Sequence, residues 1–344
     1  SLALTLLGSL GDVDSAAPSF ALWELGRKVA HDAKLTDLFN QGIPDLEERL
    51  RNYYHASDFV EEFDTFLSEF GSRGPNEWET ACDTWGTNPG SVLILIDRMR
   101  EADPTKSPQL RTEILAKKRD QALSLARTEL KGLGLRLFNK TFNAATLFSK
   151  ARERSKTTII DLIHVARLLS RELAHRTAEH RENSELIDLW FVLETELDDF
   201  IENPSSFDEK ISDRKRVREE LSKRTPPFIF EENLPDPSLW PLRKEVNPKE
   251  FSALTVGDTL QGFGGCPGVT EGIARIVTDP STPGSLGTGD ILIAPLTDPS
   301  WTPLFVPAEA VVVDVGGQMS HAVIVSRELG MPCVVAVTNA TQLI

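Results

Sequence analysis

From Pro18 to about Leu221 apolar residues recur at spacings of three and four with few β-branched runs, which predicts a mostly helical region. Turn chemistry punctuates it at Gly42-Ile43-Pro44, between Gly71 and Gly90, at Asp103-Pro104 and at Ser107-Pro108. The stretch from near Thr146 to about His180 contains neither Gly nor Pro and predicts one long helix. A charged helix follows, DEKISDRKRVREELSKR, ending at Thr225-Pro226-Pro227. Beyond about residue 254 the pattern changes. GIARIVTD, GDILIAPL, AVVVDV and CVVAV are short β-branched runs bounded by Gly, Pro and Asp, and SHAVIVSREL between the last two has helical spacing. The expected fold class is therefore multidomain α plus α/β: a helical domain over 1–224, a Pro-rich linker over 225–254 and a small α/β domain over 255–344.

Composition narrows the classes. The 344 residues are 40% apolar and 26% charged, a globular composition. Lys plus Arg is 37 against 52 for Asp plus Glu, a net charge of −15, which argues against nucleic acid or anionic lipid as a partner. Cys82, Cys266 and Cys333 are far apart with no C-x-x-C, so neither a disulfide framework nor a thiolate metal site is expected, and a cytoplasmic location fits. No apolar run approaches the ~18 residues that would span a bilayer. The leading Ser in place of Met reads as a fragment or a processed chain.

The sharpest local feature is DVGGQMSHAVIVSRELGMPCVV. Gly316 and Gly317 allow a tight turn and close backbone approach, Ser320 stands at an N-cap, and His321 takes the first helical position. A phosphoryl group on that imidazole would face unpaired backbone N–H groups and the positive end of the helix dipole. The same field disfavours imidazolium, leaving a neutral ring with a nucleophilic nitrogen. The plainer alternative is a histidine that caps a loop-to-helix junction.

Two further groups carry possible chemistry. Arg152, Glu153 and Lys156 lie on the predicted long helix, where about 100° per residue puts Arg152 and Lys156 about 40° apart with Glu153 on the same flank. Two cations and a carboxylate could converge there, or the three could form a solvated charged face. EFGSRGPNEWETACDTWG is a Gly- and Pro-bounded loop whose Arg73 and Glu77 are candidates for shaping a site, while Trp78 and Trp85 could plug a core. The other histidines offer little: His175 and His180 are five apart, His164 stands alone, and His31 and His55 read as surface residues. No metal site is expected, and no G-x-x-x-x-G-K-[ST] phosphate loop occurs.

GCPGVTEGIARIVTDP, GDILIAPLTDPSWTPLF and VVVDVGGQMSHAVIVSRELGMPCVVAVTNATQLI together resemble the mobile phosphohistidine domain of phosphoenolpyruvate-utilising enzymes, and TDPSWTPLF is similar to the rifampin phosphotransferase branch. The resemblance implies a swivelling α/β domain whose His321 carries a phosphoryl group from one active site to another. It also implies that Arg152, Glu153 and Lys156 form the R-E-x-x-K group that meets it, with the two cations neutralising the group in flight and Glu153 orienting Lys156 or taking the acceptor's proton. EFGSRGPNEWETACDTWG looks like the family's GHRGPGE-type segment, with Ser72 where relatives carry His, so that histidine's role is not carried over. Cys266-Pro267-Gly268 replaces a common Ser-Pro-Gly, and the chain stops at Ile344 before the last strands such a domain has. The activity implied is a dikinase-type transfer of the ATP β-phosphoryl group through His321 to a hydroxyl of a small, hydrophobic or aromatic acceptor. ATP and Mg²⁺ are expected on an ATP-binding domain or subunit outside this chain. The alternatives are a phosphoenolpyruvate synthase-like enzyme acting on pyruvate, an ATP-dependent condensing enzyme, and a non-catalytic phosphocarrier or ligand-binding fragment.

Overall fold

The computed structural model describes residues 16–182, 184–227, 230–242 and 254–344, together with 5, 6, 8, 10 and 14. Two compact units divide the chain, one of residues 1–162 with 253–344 and the other of residues 163–252. The expected linker over 225–254 falls partly outside the described residues, since 228–229 and 243–253 are not among them.

In the first unit the helices are α1 (Ala17–His31), α2 (Ala33–Asn40), α3 (Leu46–Arg51), α4 (Ser57–Phe70), α5 (Pro89–Glu101), α6 (Pro108–Glu129) and the start of α7 (Gly132–Ala178). Leu22, Val29, Leu35, Phe39, Phe59 and Phe63 form their core, and the spacing of those residues is what makes the segments helical. Trp85 is buried in this core as expected, whereas Trp78 is exposed. The helix α7 runs for 47 residues, about 70 Å, and starts 14 residues before the expected Thr146. The intervening sequence has no proline, and a single interior glycine such as Gly134 costs only about 1 kcal/mol.

The second unit contains the rest of α7, α8 (Leu197–Glu202) and α9 (Asp208–Ser222). Its small core is Phe200, Phe207 and Ile211, and Asp188, almost fully buried, is ion-paired to Arg181 at 3.0 Å.

The sheet belongs to the first unit. Its strands are β1 (Phe263–Cys266), β2 (Ile273–Ile276), β3 (Asp290–Ala294), β4 (Ala310–Val313) and β5 (Cys333–Val335), in the spatial order β1-β5-β4-β3-β2. The last four are mutually parallel, and β1 runs antiparallel along β5. The short helix α10 (Thr302–Phe305) follows β3, α11 (His321–Leu329) crosses from β4 to β5, and α12 (Ala340–Leu343) closes the chain. The four parallel strands are the four runs read from the sequence. Strand β1 is not among those runs, because FGGC lacks β-branched residues. It pairs all the same, with Gly265 lying so close under α11 that a Cβ there would come within 2.3 Å of Val323 Cγ2. The architecture is thus a helical part and a small mixed sheet with its own helices. Among the described residues no helix is long and apolar enough to cross a membrane.

Candidate active site

The site forms outside the carboxyl ends of β3 and β4, where a parallel sheet leaves a crevice between adjacent loops. After β3 the chain makes the segment Thr297–Phe305. Asp298 accepts hydrogen bonds from the amide (2.9 Å) and hydroxyl (2.5 Å) of Ser300, which fixes the turn that leads into α10. After β4 the chain passes Gly316 and Gly317 and enters α11 at His321. A Cβ on Gly316 would meet Val335 Cβ at 3.0 Å and Ser320 Oγ at 3.1 Å, so close approach holds there; Gly317 faces open space. Ser320 stands at the N-cap in extended conformation, but its hydroxyl makes no capping bond and, among the described residues, has no hydrogen-bond partner.

His321 occupies the first helical position, as expected. Nδ1 lies 3.1 Å from Thr297 Oγ1, Nε2 lies 3.1 Å from Thr302 Oγ1, and the ring of Phe305 meets the imidazole edge-on at 6.0 Å. Burial first, then the charges of Lys156, Arg73 and Arg152, hold the imidazole pKa well below the ordinary histidine value. The ring is therefore neutral near pH 7.

The three cations that act on His321 come from the helical part. The loop after α4 closes on itself through Trp85 N–H to Arg73 O (2.7 Å) and Gly86 N–H to Gly71 O (2.9 Å). It carries Arg73 inward, almost fully buried, where the guanidinium donates to Glu77 Oε1 at 3.1 Å and to Thr157 Oγ1 on α7 at 2.6 Å. Lys156 Nζ lies 3.8 Å from Glu77 Oε1, and Arg152 Nη1 donates to Glu153 Oε1. Lys156 thus faces Glu77, while Glu153 is held by Arg152. Ser72 donates to Asp161 at 2.7 Å.

Two carboxyl groups stand against these cations with their pKa values raised. For Glu77 burial is the leading cause, opposed by Arg73 and Lys156 and reinforced by Asp298. For Asp298 burial again leads, opposed by the bonds from Ser300, by the Asn76 N–H and by Lys156. Asp298 also ties the sheet part to the loop of the helical part by accepting that Asn76 N–H. Thr297, Asp298, Thr302 and Thr157 were not singled out as individual residues in the sequence, although three of them lie in TDPSWTPLF. Among the described residues no group of three or more His, Cys, Asp or Glu could hold a metal ion.

Two cavities flank this cluster. One, of about 380 Å³, is mainly apolar, with Ala145, Phe148, Met319 and Ile324 in its wall and Arg152 and Glu153 at its polar edge. The other, of about 530 Å³, has a mixed wall that includes Asn76, Thr84, Thr297, Asp298, Leu296 and Trp301.

Residues 1–157 match the family described as the rifampicin phosphotransferase fourth domain, and residues 286–344 match the mobile domain of phosphoenolpyruvate-utilising enzymes. An uncharacterised protein of Mycobacterium tuberculosis is 31% identical over 276 residues, which are 80% of this chain and 28% of that protein. An uncharacterised phosphotransferase of Bacillus subtilis is 25% identical over 340 residues, 93% of this chain and 39% of its own. The rifampicin phosphotransferase of Streptomyces sviceus is 28% identical over 294 residues, 83% of this chain and 32% of its own. The chain therefore spans about 28% to 39% of the length of these relatives. The resemblance to phosphoenolpyruvate-utilising enzymes of the rifampicin phosphotransferase kind holds across most of the chain.

Proposed function

From a chain that matches both the rifampicin phosphotransferase fourth domain and the mobile domain of phosphoenolpyruvate-utilising enzymes, we propose that this protein is the acceptor-binding and phosphohistidine portion of a dikinase-type phosphotransferase. His321 carries the β-phosphoryl group of ATP and delivers it to a hydroxyl of a small hydrophobic or aromatic acceptor. The observation that carries this reading is a neutral imidazole at a helix N-terminus, within the field of Arg73, Arg152 and Lys156. ATP and Mg²⁺ would be bound by a module outside this chain and supply the activated phosphoryl group. The sheet part would swivel between that module and the helical part.

The chain's own residues perform the transfer as follows. The acceptor oxygen attacks phosphorus in line with the ring nitrogen, the O–P bond forms as the N–P bond breaks, and the electron pair returns to the imidazole. In a loose transition state the main requirement is charge stabilisation, which Arg152 and Lys156 provide while Arg73 holds Glu77 in place beside Lys156. Glu153, held by Arg152 at the edge of the apolar cavity, takes the acceptor's proton. That cavity, about 380 Å³ with aromatic and aliphatic walls, favours a bulky apolar alcohol or phenol over a three-carbon acid such as pyruvate.

The test supplies the chain with an ATP-binding module, in cis or as a partner, together with Mg²⁺ and ATP labelled at the β position. Acid-labile, alkali-stable label on His321, chased off by a hydroxylated aromatic acceptor and lost in His321→Ala, is the expected result. A folded, nucleotide-binding assembly in which His321 stays unlabelled, or a fully active His321→Ala protein, overturns the reading.

A further inference from the structure

Cys266 and Cys333 are far apart in the sequence, yet the sheet sets them opposite each other. Cys266 ends β1, Cys333 begins β5, and the two are register partners across the antiparallel ladder. Residues so paired have Cα atoms about 4.5–5.5 Å apart, within the range of about 4.4–6.8 Å that a disulfide spans. Both thiols share one face of the sheet. They belong to the core that includes Val323 and Val325 of α11, whereas Val334, the next residue of β5, packs on the other side against Ile293 and Val337. Arg327 of α11 reaches the same place, its Nε donating to Gly265 O at 3.0 Å. Burial pushes both thiols up to about 11, and the Arg327 guanidinium pulls each back toward the thiolate. In the closed fold the pair is therefore protonated near pH 7 and reacts slowly. Strand β1 is the edge of the sheet, with Phe263 and Gly264 exposed, so its local opening gives a small oxidant a route to Cys266. Cys333, wholly buried, is placed to act second.

We propose that Cys266 and Cys333 are a redox-sensitive pair that a hydroperoxide converts to a disulfide, stapling β1 to β5 beneath α11. This goes beyond the phosphocarrier reading and does not depend on it. With hydrogen peroxide, the Cys266 sulfur attacks one oxygen, the O–O bond breaks, and a sulfenic acid forms as the other oxygen leaves with the thiol proton as water. The Cys333 sulfur then attacks that of Cys266: the S–S bond forms, the S–O bond breaks, and the hydroxyl leaves with the second thiol proton as water. Two electrons pass from the sulfurs to the peroxide. A dithiol reductant reverses the bond by exchange.

The test treats the folded chain with hydrogen peroxide, then denatures it, alkylates the remaining thiols and maps the peptides by mass. Cys82, only half-buried, serves as the internal clock. By the time Cys82 is fully oxidised, the expected product is a Cys266 peptide joined to the Cys333 peptide, lighter by two hydrogens than the pair and split again by dithiothreitol. In the bridged protein the amides of 263–266 should exchange with solvent at least about tenfold more slowly, because the local opening of β1 is suppressed. Cys266→Ser should form no such bridge and should leave Cys333 open to alkylation. Cys266 and Cys333 both alkylated after Cys82 is consumed would overturn the proposal, as would a bridge from either one to Cys82. A bridged protein whose β1 amides exchange as before overturns it too, since the bond would then staple nothing. The decisive readout is on the parent chain and stands whether or not Cys266→Ser folds.

Discussion

At the scale of single residues the site works by keeping His321 neutral. The folded protein resists protonating the ring, whereas the unfolded chain takes up that proton near pH 6.5. The unfolded state therefore binds more protons below about pH 6.5, and this residue's stabilisation is present above that value and is lost as the pH falls below it. Glu77 and Asp298 act in the opposite sense. Their carboxyls are held above the ordinary range, so the folded state takes up a proton first and gains stability as the pH falls through their folded values. A comparison with His321→Gln separates the two effects. Urea midpoints measured between pH 7.5 and 5.5 should fall more steeply for the parent than for the variant. Parallel curves would mean that the ring is protonated freely in the fold. The helix position of His321 and, through the family resemblance, the approach of Arg152 and Lys156 were legible in the sequence; the contacts of Thr297 and Thr302, which reach the ring across 24 and 19 residues, leave no local pattern. The pairing of Lys156 with Glu77 likewise depends on how the 71–86 loop closes, which spacing along α7 does not determine.

At the scale of elements, periodicity identified what is held by its own burial pattern and missed what is held by neighbours. The β-branched runs became β2 to β5, and the helix at His321 lies where its apolar spacing put it. Strand β1 is glycine-rich because it must slip beneath α11, a requirement that belongs to the partner helix. The same logic governs the crossing of α1 and α5. Gly26 faces Met99 so closely that an added Cβ would lie 2.5 Å from Met99 Cβ and 2.8 Å from its carbonyl carbon. Met99 is fully buried and its backbone cannot retreat without moving α5, whose C-terminal carbonyls also bind Arg27. Overpacking of this kind costs about 1–3 kcal/mol. The better helix propensity of alanine returns about 1 kcal/mol at most. Gly26→Ala should therefore lower the thermal midpoint by several degrees, and a variant as stable as the parent would show that the two helices can part freely.

At the scale of the whole molecule, the first unit joins residues 1–162 to residues 253–344, and one continuous apolar core runs from Leu22 and Val29 to Phe305, Val323 and Val325. On the phosphocarrier reading proposed above, the sheet part must leave this arrangement to deliver its phosphoryl group, so the contacts that hold it against the helices would set how often it does. Polar links supplement the core: Asn76 N–H to Asp298, Arg98 to the carbonyl of Gly284, and Lys106 Nζ to both carboxylate oxygens of Glu309 at 2.7 and 2.9 Å. The last pair is the most separable of these, because both partners are partly exposed and neither belongs to the cluster around His321. Such a pair contributes up to about 1 kcal/mol, roughly a fivefold change in an opening equilibrium. Lys106→Glu and Glu309→Lys should each raise hydrogen exchange of the Thr297–Phe305 amides by about that factor, and the double exchange of charges should restore protection. Purely additive effects would show that Lys106 and Glu309 do not hold the two parts together. Docking would then rest on the apolar contacts, on the Arg98 bond to Gly284 and on Asp298, whose loss would also disturb the site itself.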